Sequence, residues 1–172
     1  DSNGKIAEII ERYQGKDYEN EVQLAIPGIP NAHSHAFQYA MAGLTENHSE
    51  SRSSNFWTWR NEMYNLALNI DPDSLQAIDT MLYSEMLKNG YTSVAEFHYL
   101  HHDLDGSNFE PRTRLADLLI ESALEVGINI VLVPVYYRNG GFDIPATVEQ
   151  RRFVFRDVQD YLELIQRLDQ RW

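Results

Sequence analysis

The chain has 172 residues, a formal net charge of -12, and 43% hydrophobic and 23% charged residues, proportions typical of a globular domain. The acidic balance argues against nucleic acid as a partner, because phosphate binding needs a basic face, and no apolar run is long enough to span a bilayer. Cysteine is absent, so a metal ion would have to be held by imidazole and carboxylate groups.

The N-terminal part, residues 1–26, predicts a small β-element with a short strand at 22–26. A composition break follows at 27–28. Residues 29–35 are predicted to be extended, since their proline cannot donate a ladder hydrogen bond and disfavours a helix before it. A short helix closed by glycine is predicted over 36–43.

Residues 44–54 are polar and rich in serine, which predicts a loop. Aromatic and apolar residues recur at roughly helical spacing over 56–68. The clearest helix is 71–88, which has an aspartate N-cap, a proline at its first position and a glycine after its end. The β-branched and apolar run at 91–97 predicts a strand.

The second half continues this alternation. A helix is predicted over 111–126, opened by proline, and a strand buried on both faces over 128–135. Residues 138–141 are predicted to form a loop. Residues 147–150 match a capping box, from which a helix can run to about residue 168.

Strands that alternate with helices predict βαβ units and a parallel sheet, so the fold class is α/β. Only about three βα units are present, whereas an eight-fold barrel takes roughly 250 residues. The chain also begins at Asp1 rather than at a methionine. We therefore expect a piece of a longer protein that associates with the missing part of its barrel or forms a homo-oligomer.

Two histidines stand two positions apart on the first predicted strand. Side chains alternate along a strand, so His33 and His35 point to the same side. Two imidazoles at the end of a strand can ligate one metal ion. The pair alone is weak evidence, because two ordinary histidines at this spacing are a frequent coincidence.

Longer motifs around this pair resemble a known family. The chain is similar to the formimino-L-glutamate deiminases of the amidohydrolase superfamily. The matching segments are 27–38, 40–46, 56–60, 95–102 and 137–142. The resemblance implies that 27–172 is the first part of a TIM-like (β/α)8 barrel and that 1–26 is a remnant of a small β-sandwich domain.

The resemblance also implies a reaction. These enzymes hydrolyse the formimino C–N bond of N-formimino-L-glutamate to N-formyl-L-glutamate and ammonia, a step of histidine degradation, with one divalent metal, usually zinc. It assigns His33 and His35 as two metal ligands. The remaining ligands and the acid–base residues of the family lie further along its barrel, so we expect no catalytic residue within this chain and little metal retained by it alone.

The implied substrate is a dicarboxylate, and a protein of net charge -12 needs a local cation to bind it. Arg60 is the best candidate, because a guanidinium binds a carboxylate through two parallel hydrogen bonds. The resemblance places Gln38, Arg60 and Tyr99 in the substrate pocket. The plainer interpretation of Arg60 is a surface arginine beside Trp57.

Other polar residues receive more ordinary interpretations. His98, His101 and His102 are expected to shape the pocket rim or to hydrogen-bond a loop, rather than to form a second metal site. Glu96 is either a supporting partner of a ligand histidine or a paired inward carboxylate. Trp57 is predicted to pack along a helix.

Two alternative functions stay open at this point. One is another deaminase of the same superfamily, acting on a purine, pyrimidine or related ring amidine. The other is an inactive structural fragment. For the leading hypothesis we expect a small acidic substrate, no nucleic-acid or membrane partner, and a cytoplasmic location, which the absence of cysteine fits.

Overall fold

A computed structural model of the protein describes residues 5–16, 19–44 and 56–172. In chain order its elements are β1 (Ile29–Ser34), a 3-10 helix (Ala36–Met41), α1 (Phe56–Ala67), α2 (Pro72–Lys88), β2 (Tyr91–His98), α3 (Arg114–Val126), β3 (Asn129–Pro134), β4 (Asn139–Gly141), β5 (Ile144–Pro145), a second 3-10 helix (Val148–Gln150) and α4 (Val158–Arg171). The predicted loop at 44–54 lies outside the described residues except for Leu44.

The three longer strands form one parallel sheet in the order β1-β2-β3. Ser34 of β1 pairs with Glu96 of β2, and His98 of β2 pairs with Pro134 of β3. The carboxyl ends of the strands therefore share one edge, where the segments that follow them meet. This confirms the α/β class and the parallel sheet predicted from the alternating pattern.

Helices α2 and α3 pack together and cover one face of the sheet. Val94 of β2 and Ile130 of β3 point into that layer, where they contact apolar side chains of both helices. The opposite face is open within the described residues: Val131, which pairs with Ala95, has 63% of its surface exposed. In the described part of the chain, every helix is too short or too polar to traverse a lipid bilayer.

The helix boundaries predicted around residues 71–88 are confirmed. The Asp71 side chain accepts a hydrogen bond from the Ser74 N–H, which satisfies one of the free donors at the helix start. The chain leaves α2 through Gly90, whose φ of +86° is unfavourable for residues with a side chain. Gly127 ends α3 in the same left-handed conformation.

Two predictions are wrong: the strand at 22–26 and the residue at which α3 begins. Residues 22–26 form no strand, because a strand needs a partner strand to accept and donate its backbone hydrogen bonds. Helix α3 begins at Arg114 rather than at Pro111, since a tight turn comes first and the Arg114 N–H donates to the Pro111 carbonyl. The sandwich remnant at 1–26 stays a prediction.

Two predictions after β3 are also corrected. Residues 138–141, predicted as a loop, contain β4, which pairs with β5 in a small hairpin. The single helix predicted over 147–168 is divided: the capping box is present at Thr147, but α4 begins only after Asp157. The intervening segment is not helical because it buries Phe155 in the core, and packing of that side chain outweighs the local pattern.

Candidate metal and substrate site

A cavity of about 360 Å³ lies where the segments after β1, β2 and β3 meet. Sites of barrel-like folds are built at this carboxyl end of the strands. Its lining residues are His35, Phe37, Gln38, Phe56, Trp59, Arg60, Met63, Tyr64, Tyr99, Tyr137, Gly140 and Phe153. Four of the residues singled out in the sequence are therefore brought together in one cavity: one histidine of the pair, Gln38, Arg60 and Tyr99.

The two histidines converge on each other. The Nε2 atoms of His33 and His35 are 3.0 Å apart, and the His33 ring stacks on Phe97 with 4.3 Å between ring centres. His35 Nδ1 lies 3.0 Å from the Phe97 carbonyl oxygen. A carbonyl only accepts, so Nδ1 of His35 carries the hydrogen and its Nε2 presents a lone pair toward His33.

This arrangement fits two corners of a divalent metal site. With Zn–N bonds of about 2.0 Å and tetrahedral angles, two ligand nitrogens stand about 3.3 Å apart, close to the 3.0 Å found for His33 and His35. The Phe97 carbonyl is the kind of supporting partner that fixes the orientation of a ligand imidazole. Within residues 5–16, 19–44 and 56–172, no three histidine, aspartate or glutamate side chains are grouped to hold a metal. The described residues therefore offer at most two ligands to such a site.

Glu96 supports the backbone beside this pair rather than an imidazole ring. It is only 1% exposed, and its Oε1 accepts a hydrogen bond of 2.7 Å from the N–H of Ala36, the residue after His35. Burial raises the pKa of Glu96 to about 7, although the hydrogen bond from Ala36 acts in the opposite direction. Glu96 and the Phe97 carbonyl thus hold His35 from two sides.

Two buried polar residues of α2 face Glu96 and were missed in the sequence. Asp79 and Tyr83 are both fully buried. Burial, and then the nearby Glu96 carboxylate, raise the pKa of Asp79 well above its usual value. The only signal in the sequence is their spacing, since they occupy the same buried stripe as Leu75 and Met86.

Arg60 is held in the cavity wall and is not a free surface residue. Its Nε donates to the Tyr64 hydroxyl at 2.9 Å, one helical turn further along α1, and its Nη2 lies 3.4 Å from the Gly140 carbonyl. The guanidinium also stands 5.5 Å from the centre of the Trp57 ring. Trp57 itself is 62% exposed within the described residues, and its ring contacts Phe56 and the Arg60 guanidinium on the same helix; its packing against other elements stays a prediction.

A second network, also missed in the sequence, lies behind Arg60. Gln150 Nε2 donates to the hydroxyls of Tyr64 at 2.7 Å and Tyr137 at 2.8 Å. Burial raises the pKa of Tyr64, but hydrogen bonds with Tyr137, Gln150 and Arg60 outweigh it, so the pKa lies below its ordinary value. Burial, and then Tyr64, raise the pKa of Tyr137 to about 12.

Gln38 and Tyr99 complete the cavity wall. The Gln38 N–H donates to the His35 carbonyl in the first turn of the 3-10 helix, which fixes the position of this residue relative to the histidine pair. The Tyr99 ring lies edge-on to the His35 ring with 5.3 Å between their centres. Both residues line the cavity, and the roles assigned to them by resemblance remain predictions.

Three histidines lie at the end of β2 and just after it. His98, His101 and His102 are all buried and none of them lines the cavity, so the expectation that they shape the pocket rim is wrong. His101 bonds the Val135 carbonyl and His102 the Arg152 carbonyl, each through a ring nitrogen. Burial lowers the pKa of His98 to about 3. The alternative expectation, hydrogen bonding to loops, is confirmed for His101 and His102.

Comparison with known proteins gives an independent result. The sequence pattern of the amidohydrolase family matches residues 24–172. A formimidoylglutamate deiminase of Pseudomonas aeruginosa is 45% identical over 168 residues, which is 97% of this chain but 37% of that protein. The chain thus spans just over a third of the length of this relative.

Two solved structures are also similar to this chain. An amidohydrolase from Brucella melitensis superposes with a TM-score of 0.77 at 43% identity, covering 82% of this chain and 31% of the other. A mutant of atrazine chlorohydrolase from Arthrobacter aurescens, crystallised with zinc and atraton, superposes with a TM-score of 0.53 at 21% identity, covering 84% of this chain and 30% of the other. The second likeness shows a shared fold only.

Proposed function

The chain belongs to the amidohydrolase family, and on this premise we propose that it is the N-terminal part of a metal-dependent deiminase. The proposed reaction is hydrolysis of the formimino C–N bond of N-formimino-L-glutamate, giving N-formyl-L-glutamate and ammonia in histidine degradation. The observation that carries the proposal is that one cavity is lined both by His35, whose Nε2 faces His33, and by the anchored cation Arg60. The 45% identity to a formimidoylglutamate deiminase supports the same substrate.

In this proposal His33 and His35 hold one divalent metal, zinc being the best candidate. When bound, the metal lowers the pKa of a water molecule toward neutrality, which supplies the nucleophile for hydrolysis. The chain's own residues prepare the site: the Phe97 carbonyl orients His35, and Glu96 holds the backbone at Ala36. The other ligands and the acid–base groups would come from outside these residues.

Arg60 binds a carboxylate of the substrate in this account. The Tyr64 hydroxyl holds the guanidinium at Nε, so its orientation is set before a ligand arrives. Because the whole chain has a net charge of -12, its overall field repels an anion, and affinity must come from this local cation. Gln38 and Tyr99 are proposed to position the remainder of the substrate, and the aromatic walls exclude water around it.

The open face of the sheet supports the proposal that the chain is one part of a barrel. Val131 and the neighbouring side chains of that face would be covered in a closed barrel, whose interior is packed with such residues. We therefore propose 27–172 as the first part of the barrel and 1–26 as a remnant of a small β-sandwich domain. A cytoplasmic location and a homo-oligomer remain part of the proposal.

The substrate class is tested by replacing Arg60. Losing charge-assisted hydrogen bonds costs about 1.5–3 kcal/mol each, so Arg60→Met in the complete protein should raise the KM for N-formimino-L-glutamate by at least about tenfold. Arg156→Met, which changes an exposed arginine that bonds Asp157, is the matched control and should leave the KM unchanged.

The same experiment separates the alternatives. If the enzyme acted on a neutral ring amidine, Arg60→Met would hardly change the KM for such a substrate, and N-formimino-L-glutamate would not be turned over by the parent protein. A complete protein that binds no metal and turns over neither substrate would indicate a structural role instead.

A further inference from the structure

The hydrogen bonds behind Arg60 have fixed directions, and the first of them is set by the backbone. Gln150 is 1% exposed, and its Oε1 accepts a hydrogen bond of 2.9 Å from the Thr147 N–H, a group that can only donate. The amide nitrogen of Gln150 must therefore face the two phenols. It donates to Tyr64 at 2.7 Å and to Tyr137 at 2.8 Å.

The next direction follows at Tyr64. Its oxygen receives one hydrogen from the Gln150 amide and one from Arg60 Nε. A phenol oxygen that already accepts twice must donate its own hydrogen. Neither donor can take that hydrogen, whereas the Tyr137 hydroxyl oxygen, which lies 2.8 Å from the same Gln150 amide nitrogen, can accept it. In the neutral pair the Tyr64 hydrogen is therefore directed at the Tyr137 oxygen.

Tyr137 is the end of this chain of hydrogen bonds. Its oxygen accepts from Gln150 at 2.8 Å, and the Tyr64 oxygen, which already accepts from Gln150 and Arg60, cannot take the Tyr137 hydrogen. Arg60 has only N–H donors and cannot accept it. Tyr137 lines the same cavity as Arg60, and the remaining direction for its O–H is into that cavity.

We propose that Tyr137 and Arg60 form a subsite that accepts only hydrogen-bond acceptors, which selects a carboxylate and rejects a carboxamide of the same shape. The proposal rests on the proposed function for the identity of the ligand, but the selectivity follows from the directions of the hydrogen bonds. A carboxylate offers lone pairs to both the hydroxyl and the guanidinium. A carboxamide placed there would turn an NH₂ group toward groups that can only donate.

Gln150 does not line the cavity and sets this selectivity indirectly. A tyrosine hydroxyl ordinarily serves as donor or acceptor by rotating its hydrogen. Here each phenol oxygen already accepts two hydrogen bonds, so rotating its O–H bond presents no free lone pair to a ligand. Tyr137 is therefore a specificity-determining residue, and Gln150 is a positioning residue that acts through it.

The test is equilibrium binding of compounds that are not turned over. Isothermal titration of the complete protein would compare N-formyl-L-glutamate with N-formyl-L-glutamine and N-formyl-L-isoglutamine, which each replace one carboxylate by an amide. We expect one of the two amides to bind at least about 100-fold more weakly than the dicarboxylate, from the loss of one charged and one neutral hydrogen bond. In Tyr137→Phe the discrimination against that amide should fall about tenfold.

Two further variants make the result specific. Tyr136→Phe changes the neighbouring tyrosine, which stacks on Phe155, and should leave the discrimination as in the parent protein. Gln150→Met keeps Tyr137 but frees an acceptor site on each phenol, so it should also weaken the discrimination. Equal discrimination in the parent protein and in Tyr137→Phe would overturn the inference.

A second pair of ligands separates this inference from the proposed function. Glutarate and its monoamide carry the same two groups without the formyl nitrogen. If the proposed substrate is wrong, N-formyl-L-glutamate should fail to bind while glutarate is still preferred over its monoamide in a Tyr137-dependent manner. If both pairs bind without any Tyr137-dependent preference, the acceptor-only subsite is wrong.

Discussion

Replacing Glu96 by glutamine should change how the stability of the protein depends on pH. The native carboxyl is buried, and its pKa is raised from 4.5 to about 7. Between these two values the native state binds a proton that the unfolded state has lost, so the free energy of unfolding falls as pH rises. At about 1.4 kcal/mol per unit, the loss amounts to about 3 kcal/mol above pH 7.

Glutamine keeps the useful contact and removes this dependence. Its carbonyl oxygen can accept the Ala36 N–H as Oε1 of Glu96 does, and its amide nitrogen faces the buried Asp79 and Tyr83 side. The stability of Glu96→Gln relative to the parent should therefore rise by about 3 kcal/mol between pH 4.5 and pH 7 and stay constant above. A difference in the free energy of unfolding that is the same at every pH would leave the shape of this pH dependence unchanged.

Urea unfolding followed by tryptophan fluorescence at pH 5, 6, 7 and 8, with chelator present, measures the effect. The matched control is Glu62→Gln, an exposed residue of α1, for which we expect the pH profile of the parent. A stability difference between Glu96→Gln and the parent that is the same at all four pH values would refute the reasoning, because it would mean that Glu96 titrates alike in both states.

Three other outcomes are expected. Arg152→Met should lower the free energy of unfolding in urea by about 3–5 kcal/mol, because the fully buried guanidinium bonds the carbonyls of Ala67, Ile70 and His102; a loss below 1 kcal/mol would contradict this. Titrations between pH 7 and 10 should show weaker binding of N-formyl-L-glutamate as the pH rises through the lowered pKa of Tyr64, since its phenolate would draw hydrogen bonds away from the ligand; a flat profile would count against it. His35→Ala should weaken zinc binding to the complete protein by at least about 10–100-fold in a chelator competition, and unchanged affinity would argue against its role as a ligand.

Much of the fold could be predicted because it depends on local patterns. The caps of α2 are encoded by Asp71 and Gly90, and the apolar runs of β2 and β3 identify buried parallel strands. The boundaries that failed depend on distant partners. Residues 22–26 have the composition of a strand but pair with no strand in the part of the chain that the structure describes, and the start of α4 is delayed by burial of Phe155.

Residues of the candidate site could be predicted from the sequence only where they lie in motifs that resemble a known family. His33, His35, Gln38, Arg60 and Tyr99 were identified by resemblance, and the structure groups all except His33 around one cavity, with His33 Nε2 3.0 Å from His35.

The supporting residues could not be recognised in the same way. Tyr64, Tyr137 and Gln150 come from three elements, and their hydrogen bonds join residues up to 86 positions apart. Asp79 is a buried carboxylate on a helix stripe whose other members are mostly apolar. Neither arrangement produces a characteristic spacing in the sequence, so both can be recognised only in the folded structure.

Hydrolysis of N-formimino-L-glutamate is the activity on which the proposed roles of the site residues depend. The deciding measurement is ammonia release from N-formimino-L-glutamate by the complete protein loaded with zinc, with N-formyl-L-glutamate identified as the second product. We expect one equivalent of each product, loss of activity after metal removal, and recovery when zinc is returned. No ammonia from the zinc-loaded protein at saturating substrate would contradict the account.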